Sequence, residues 1–199
     1  MCERWMNLMR ETGAIQQGHF LLSSGRHSAE YVQCARALEH PSNAATLGGA
    51  LADEVRAKAE SAIDFVVSPP LGALLIGYEV ARRLDVRFLF PEREGDGRFR
   101  FRRGFVLDEG AHICLVEDVI TTGRTTEELI DLVESMGTTV AAVAAIADRS
   151  TGRAVRSHPI VSLLQLEIPT YAPEECPLCA KGSSPIKPGS RAEPDKGGR

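Results

Sequence analysis

Lysine is scarce in this chain: four residues, against nineteen arginines, in 199 positions. Any role that needs a cation therefore falls mostly to arginine, whose guanidinium stays protonated and makes a poor general acid. Positive charge in bulk is missing too, because the net charge is −4, and no global field recruits nucleic acid or anionic membrane. No apolar run approaches the roughly 20 residues that span a bilayer. The opening MCERWMNLMRETG mixes charge with its apolar residues and lacks a signal-peptide core, so a cytoplasmic protein is expected. Disulfide scaffolding is excluded as the organising device: the five cysteines (Cys2, Cys34, Cys114, Cys176 and Cys179) are odd in number and scattered.

What is present is ordinary for a soluble globular domain, with 43% hydrophobic and 25% charged residues. A first helix is predicted from about Glu3 to Thr12, stopped by Gly13. GHFLLSSGRHSAEYVQCA reads as two strands around a Ser/Gly turn. A helix starts near Pro41, with Leu47, Leu51 and Val55 on its buried face. IDFVVS, VRFLF, AHICLVE, TVAAVAAIADR and IVSLLQLE are apolar strands, and ALLIGYEVARRL and a stretch from Arg124 to Met136 are helices between them. FRFRRGF, after a Gly95-Asp96-Gly97 turn, alternates aromatic and basic residues as an exposed strand does. Strands alternating with helices imply an α/β fold, a mostly parallel sheet flanked by helices. Ligands in such sheets bind beyond the carboxyl ends of the strands, here after Ser68, Phe90 and Val116.

The stretch that carries chemistry is ICLVEDVITTGRTT. An apolar strand delivers Glu117 and Asp118 to its end; a loop of small hydroxyl residues with Gly123 follows, and then a helix begins. The helix N-terminus offers unpaired N–H groups and partial positive charge to a phosphate. Thr121, Thr122, Thr125 and Thr126 can add hydroxyl donors. The two carboxylates would repel a phosphate and suit sugar hydroxyls or a developing positive charge. A purely structural alternative is a helix capped by Thr125 with Glu128 three residues on.

This string resembles the phosphoribosyl pyrophosphate signature of type I phosphoribosyltransferases. The resemblance implies that Glu117 and Asp118 hold the ribose 2- and 3-hydroxyls, that Thr121 through Thr125 (Thr121, Thr122, Gly123, Arg124 and Thr125) wrap the 5-phosphate, and that Val119 and Ile120 also belong to the donor site. Magnesium would arrive with the donor, bound mainly through it, and no protein metal site is expected. The likeness to the orotate branch extends over nearly the whole chain. GHFLLSSGRHSAEYVQCA matches a segment that closes over the base, and SPPLGA, with Pro70, Leu71 and Gly72, sits at the pyrophosphate loop. VEDVITTGRTT and ADRSTGR follow in order, and EIPTYAPEECPLCAKG resembles the end of one branch. It implies transfer of phosphoribose to orotate in a homodimer, with Tyr31 and Val32 lining the base pocket. Thr121 would bond the base, and Arg149 would grip its carboxylate, as a bidentate guanidinium can. The bland reading of Arg149 is a surface residue paired with Asp148.

The implied divisions are 1–40, an N-terminal hood segment; 41–158, the core; 159–180, a C-terminal strand and hood segment; and 181–199, a disordered tail. Where relatives carry a lysine-rich mobile loop, this chain has PEREGDGRFRFRRGF, so Arg93 is the expected catalytic cation and Arg98 the next. Basic residues interleaved with aromatics could also hold single-stranded RNA, but the acids among them favour an exposed hairpin and no nucleic-acid partner. CPLC, with Cys176 and Cys179, has zinc-knuckle spacing but supplies half of a tetrahedral site; the other readings are a redox pair or plain structural cysteines. His19, His27, His40, His112 and His158 show no metal spacing among themselves, and His27 is expected in an exposed turn. Two rival functions are transfer to a purine or uracil, and a nucleotide-sensing regulator on the same fold.

Overall fold

The computed structural model describes residues 2–153 and 155–188. Helix α1 (Cys2–Glu11) leads into an antiparallel hairpin of β1 (Ile15–Leu21) and β2 (His27–Val32). The short α2 (Ala35–Leu38), which the periodicity did not reveal, precedes α3 (Pro41–Lys58). Then come β3 (Phe65–Val67), α4 (Leu74–Leu84), β4 (Arg87–Leu89) and a small hairpin, β5 (Glu92–Arg93) with β6 (Phe99–Arg100). Strand β7 (His112–Ile120), α5 (Arg124–Glu134), β8 (Thr139–Asp148) and β9 (Ile160–Gln165) complete the core. A 3-10 turn (Pro173–Glu175) and α6 (Pro177–Ala180) follow.

The main sheet has order β4-β3-β7-β8-β9, and every neighbouring pair is parallel. Because side chains alternate across a strand, the sheet feeds two apolar layers. Val66, Cys114, Val116, Ala144 and Ile146 face one side with α3 and α4 residues such as Leu47, Leu51 and Ile76. Phe65, Val67, Ile113, Leu115 and Val143 face the other, with Leu129, Ile130 and Val133 of α5. Phe99 joins that second layer, with Phe101 and Phe105 packed against it. The aromatics of FRFRRGF thus pack inward, and Arg100 and Arg103 pair with Glu94, Asp96 and Glu92 of the same hairpin.

The chain passes from β3 outward to β4, then returns to the opposite side of β3 as β7. The switch point therefore lies between the carboxyl ends of β3 and β7, where a crevice for ligand opens in such sheets. Outside the sheet, the β1–β2 hairpin is tied to the C-terminal segment by bridges His27↔Tyr171 and Phe20↔Ile186. The tail boundary expected at Lys181 is therefore displaced. Leu21 N–H donates to Ile186 O and Ile186 N–H to His19 O, both at 2.8 Å, so residues up to 188 run along the hairpin. The remainder of the expected tail, 189–199, lies outside the described residues.

Helices α3 and α4 cross closely at one glycine. A Cβ on Gly48 would lie 2.4 Å from Glu79 Cβ and 3.0 Å from its backbone carbon, whereas one on Gly49 would meet nothing within 4 Å. Alanine improves helix propensity by roughly 1 kcal/mol at either position, but overpacking costs about 1–3 kcal/mol. Denaturant unfolding should show Gly48→Ala lowering stability and Gly49→Ala raising it. Equal shifts in both would contradict this packing.

Candidate active site

Pairing with β8 carries β7 two residues past Asp118, through Val119↔Ala147 and Ile120↔Asp148. The sequence reading had closed the strand at Glu117 and left Asp118, Val119 and Ile120 to the segment before the helix. Instead, Ile120 is buried in the core and the loop proper is residues 121–123. Continuing the strand also separates the two acids, since adjacent residues point to opposite faces. Asp118 lines a cleft of about 760 Å³. Glu117 is buried on the α5 side, where Thr126 Oγ1 donates to its Oε1 at 2.9 Å.

Gly123 adopts φ 79° and is the N-cap of α5, with no side-chain cap. The capping-box alternative thus fails: Glu128 is occupied by Arg93 and Arg124, at 2.7 and 3.2 Å. Only glycine suits this turn, because of its positive φ and because a Cβ would press to 2.8 Å from Val155. Beside the loop lies a second cleft of about 480 Å³, lined by Thr121, Thr122, Arg149, Ser150, Thr151 and Arg153. Glu127 and Val155 complete its lining, and the hydroxyls and two guanidiniums offer donors that suit an anion. Arg124 has an 85% exposed side chain directed to Glu128.

At the switch point, Gly72 meets Asp118: a Cβ there would lie 2.6 Å from Asp118 Oδ2. The peptide between Pro70 and Leu71 is cis, and Leu71 is 83% exposed. Gly72 thus lies against Asp118, while Pro70, Leu71 and Gly72 are not among the residues that line the large cleft. Tyr31, Val32, Thr121 and Arg149 all line it. Arg149 is no surface arginine: its Nε is buried without a hydrogen-bond partner in the structure, and burial pulls its pKa down. Asp148, its expected partner, instead accepts from Ser150 N–H at 2.7 Å. An unpartnered buried guanidinium N–H is costly unless a ligand meets it. Arg149 is thus the strongest indicator of an anionic ligand in the large cleft.

Arg93 is not brought to either cleft. Its guanidinium lies 3.8 Å over the Phe99 ring and bonds Glu128 and the Gly97 carbonyl. Sequence reasoning also missed contributors. Arg26, Ser23, Ile168, Thr170 and Lys187 line the large cleft. Lys187 fell in the expected tail; the apolar Ile186 beside it, which bridges to Phe20, was the available signal. His27, expected to be exposed, is buried, as is His19, and both face Cys176 and Cys179.

Burial raises Glu117 from an ordinary 4.5 to about 7; the Thr126 bond opposes this and the Asp118 charge adds to it. Burial raises Asp118 as well. A carboxyl that holds its proton more tightly folded than unfolded stabilises the fold most below pH 4.5, and that contribution is lost as pH rises to about 7. Glu117 should therefore make the ligand-free protein less stable across that window, by up to roughly 3 kcal/mol. Denaturation at a series of pH values should show a shallower decline in Glu117→Gln; an unchanged slope would contradict the assignment.

Comparison with known proteins places this geometry. Residues 35–177 match the phosphoribosyl transferase domain. The chain is 46% identical to an orotate phosphoribosyltransferase of Caldicellulosiruptor bescii, covering 95% of this chain and 97% of that one. It is 44% identical to the Thermotoga maritima enzyme of the same name, covering 92% and 96%. The crystal structure of orotate phosphoribosyltransferase from Aeropyrum pernix superposes with a TM-score of 0.66 at 27% identity, covering 81% of this chain and 93% of that one. With the acidic strand end, the threonine turn and the buried arginine in one crevice, the chain belongs to the phosphoribosyltransferase family.

Proposed function

We propose that the protein transfers the phosphoribosyl group of 5-phosphoribosyl pyrophosphate to orotate, giving orotidine 5-monophosphate and pyrophosphate, a step of pyrimidine synthesis. The observation that carries the choice of base is Arg149, a half-buried cation in the large cleft whose Nε has no partner among the described residues, matched to the carboxylate that distinguishes orotate from uracil or a purine. The names of the relatives at 46% and 44% identity support the same base.

In this reading the 5-phosphate rests on residues 121–125, where helix α5 begins uncapped. Asp118 takes the ribose hydroxyls, and Glu117, once drawn from Thr126, is the second ribose carboxylate. Residues 70–72 receive the pyrophosphate across the switch point. As the bond from the anomeric carbon to the pyrophosphate oxygen breaks, positive charge grows on that carbon, and the carboxylates oppose it electrostatically. The orotate ring nitrogen then forms the new bond, oriented by Arg149 on its carboxylate and Thr121 on the base, with Tyr31 and Val32 as the pocket wall. Positioning and electrostatics account for the acceleration without a covalent enzyme intermediate.

Asp118 fits a hard divalent cation. Its Oδ1 accepts from Val119 N–H at 2.9 Å while Oδ2 borders Gly72 and the cleft. It is the residue that would hold magnesium, directly or through ribose hydroxyls. Magnesium, when bound, neutralises the departing pyrophosphate. No helix is long and apolar enough to cross a membrane among the described residues, and we place the enzyme in the cytoplasm. In a homodimer, the arginine hairpin of residues 91–105 would serve the partner's pyrophosphate. That gives Arg93 a catalytic task on a second copy while it stands clear of its own clefts.

Turnover of the donor with magnesium should be seen with orotate and be absent, or slower by orders of magnitude, with uracil, adenine and hypoxanthine. Arg149→Ala should raise KM for orotate roughly 10- to 150-fold, the worth of hydrogen bonds to a charged group, with little change in KM for the donor. Equal turnover of uracil, or an unaltered orotate KM in Arg149→Ala, would reject this function.

A further inference from the structure

We infer that His19, His27, Cys176 and Cys179 form a structural zinc site that clamps the β1–β2 hairpin to the C-terminal segment. The four candidate ligand atoms all lie within 4.8 Å of one another. The contacts are Cys176 Sγ to His19 Nε2 at 3.5 Å, Cys179 Sγ to His19 Nε2 at 3.8 Å, Cys179 Sγ to His27 Nδ1 at 3.3 Å, and the two ring nitrogens at 3.0 Å. A tetrahedral zinc with Zn–S of about 2.3 Å and Zn–N of about 2.0–2.1 Å sets its ligand atoms about 3.3–3.8 Å apart. These four separations fall near that pattern, with the pair of nitrogens drawn tighter, and the remaining pairs lie within 4.8 Å.

The donor set is also the right chemistry. Two thiolates and two imidazoles make a neutral complex with zinc, and tetrahedral S₂N₂ sites favour that metal. His19, His27 and Cys176 are buried, at 6%, 6% and 2% exposure. Four polar groups turned toward one buried point have few ways to satisfy one another: the two ring nitrogens can share one proton, and thiols are weak partners. Outside the cluster, His19 Nδ1 lies 3.2 Å from Ser183 Oγ. A proton on Nδ1, donated to Ser183 Oγ, would leave the Nε2 lone pair facing inward, as in a ligating histidine held by an outer partner.

The hairpin explains how two unremarkable histidines meet. β1 and β2 pair Phe20 with Ser28 and Leu21 with His27, and the register shifts between Gln17 and Phe20. The shift brings His19 beside His27 on one face, which alternation along an even ladder would not reveal. The clamp joins residues 157 positions apart, from His19 to Cys176. Closing so long a loop restricts the unfolded chain strongly. The clamped elements also carry Leu22, Ser23, Arg26 and Thr170 of the cleft wall, so the metal would hold the hood without touching substrate.

The test uses the full chain, stripped of metal under reducing conditions and titrated with cobalt(II). One equivalent should bind with the visible bands of a tetrahedral ion and near-ultraviolet thiolate charge transfer, and one equivalent of zinc should bleach both. Cys179→Ser and His27→Gln should each lose this spectrum, and Cys2→Ser should keep it. Zinc should raise Tm of the wild type by at least about 5 °C and leave Cys179→Ser unchanged. Cobalt remaining six-coordinate, or a purified chain two hydrogens lighter through a Cys176–Cys179 disulfide, would overturn the site. The wild-type titration decides this even if a variant fails to fold. None of these readouts involves donor or base, so failure here would leave the proposed reaction standing.

Discussion

The structure depends on a single constraint: β7 must lie between two parallel neighbours and still end in charge. Ile113, Cys114, Leu115 and Val116 are fully buried, and the strand pairs with β3 on one side and β8 on the other. That pairing fixes where Asp118 emerges to within a side chain. The same strand then hands the chain to Gly123, whose left-handed conformation starts α5 without a cap. Carboxylate and open helix terminus are adjacent in sequence, so burying β7 sets Asp118 beside the uncapped start of α5 in one operation.

Holding acids in that crevice has an energetic cost, visible in the raised pKa values of Glu117 and Asp118. Desolvated carboxylates are poor company for each other but good partners for sugar hydroxyls, a divalent cation or a carbon that becomes positive. Arg149 is the mirror case, a half-buried cation whose Nε has no partner among the described residues. A ligand that brings hydroxyls, cation and carboxylate together relieves all three groups. In the proposed reaction these desolvated groups would be the ones that select the donor and the base.

Much of this was legible in the residues. The apolar runs around Val66, Leu115 and Val143 announce buried parallel strands, and the acids, threonines and glycine after Val116 are local to one loop. Arg149 was found because it ends a strand. The misses have a common cause, which is that they depend on tertiary pairing. Ile120 left the loop because β8 continued alongside it, and Lys187 joined the cleft because Ile186 pairs with Phe20. Arg93 was expected to act from a loop that closes over a partner subunit's pyrophosphate, and within this chain Phe99 and Glu128 fix where it lies. His19 and His27 carry no spacing signal, and only a register shift in the hairpin aligns them with cysteines from the other end of the chain.

The central claim is that the end of β7 and the turn after it cradle a phosphorylated, pyrophosphate-bearing ribose. Titration calorimetry with 5-phosphoribosyl pyrophosphate and magnesium, without any base, addresses it most directly. Saturable one-to-one binding that Asp118→Asn weakens at least tenfold, with the folded state intact by circular dichroism, is the predicted result. Undiminished binding in that variant, or no heat in the wild type, would contradict it.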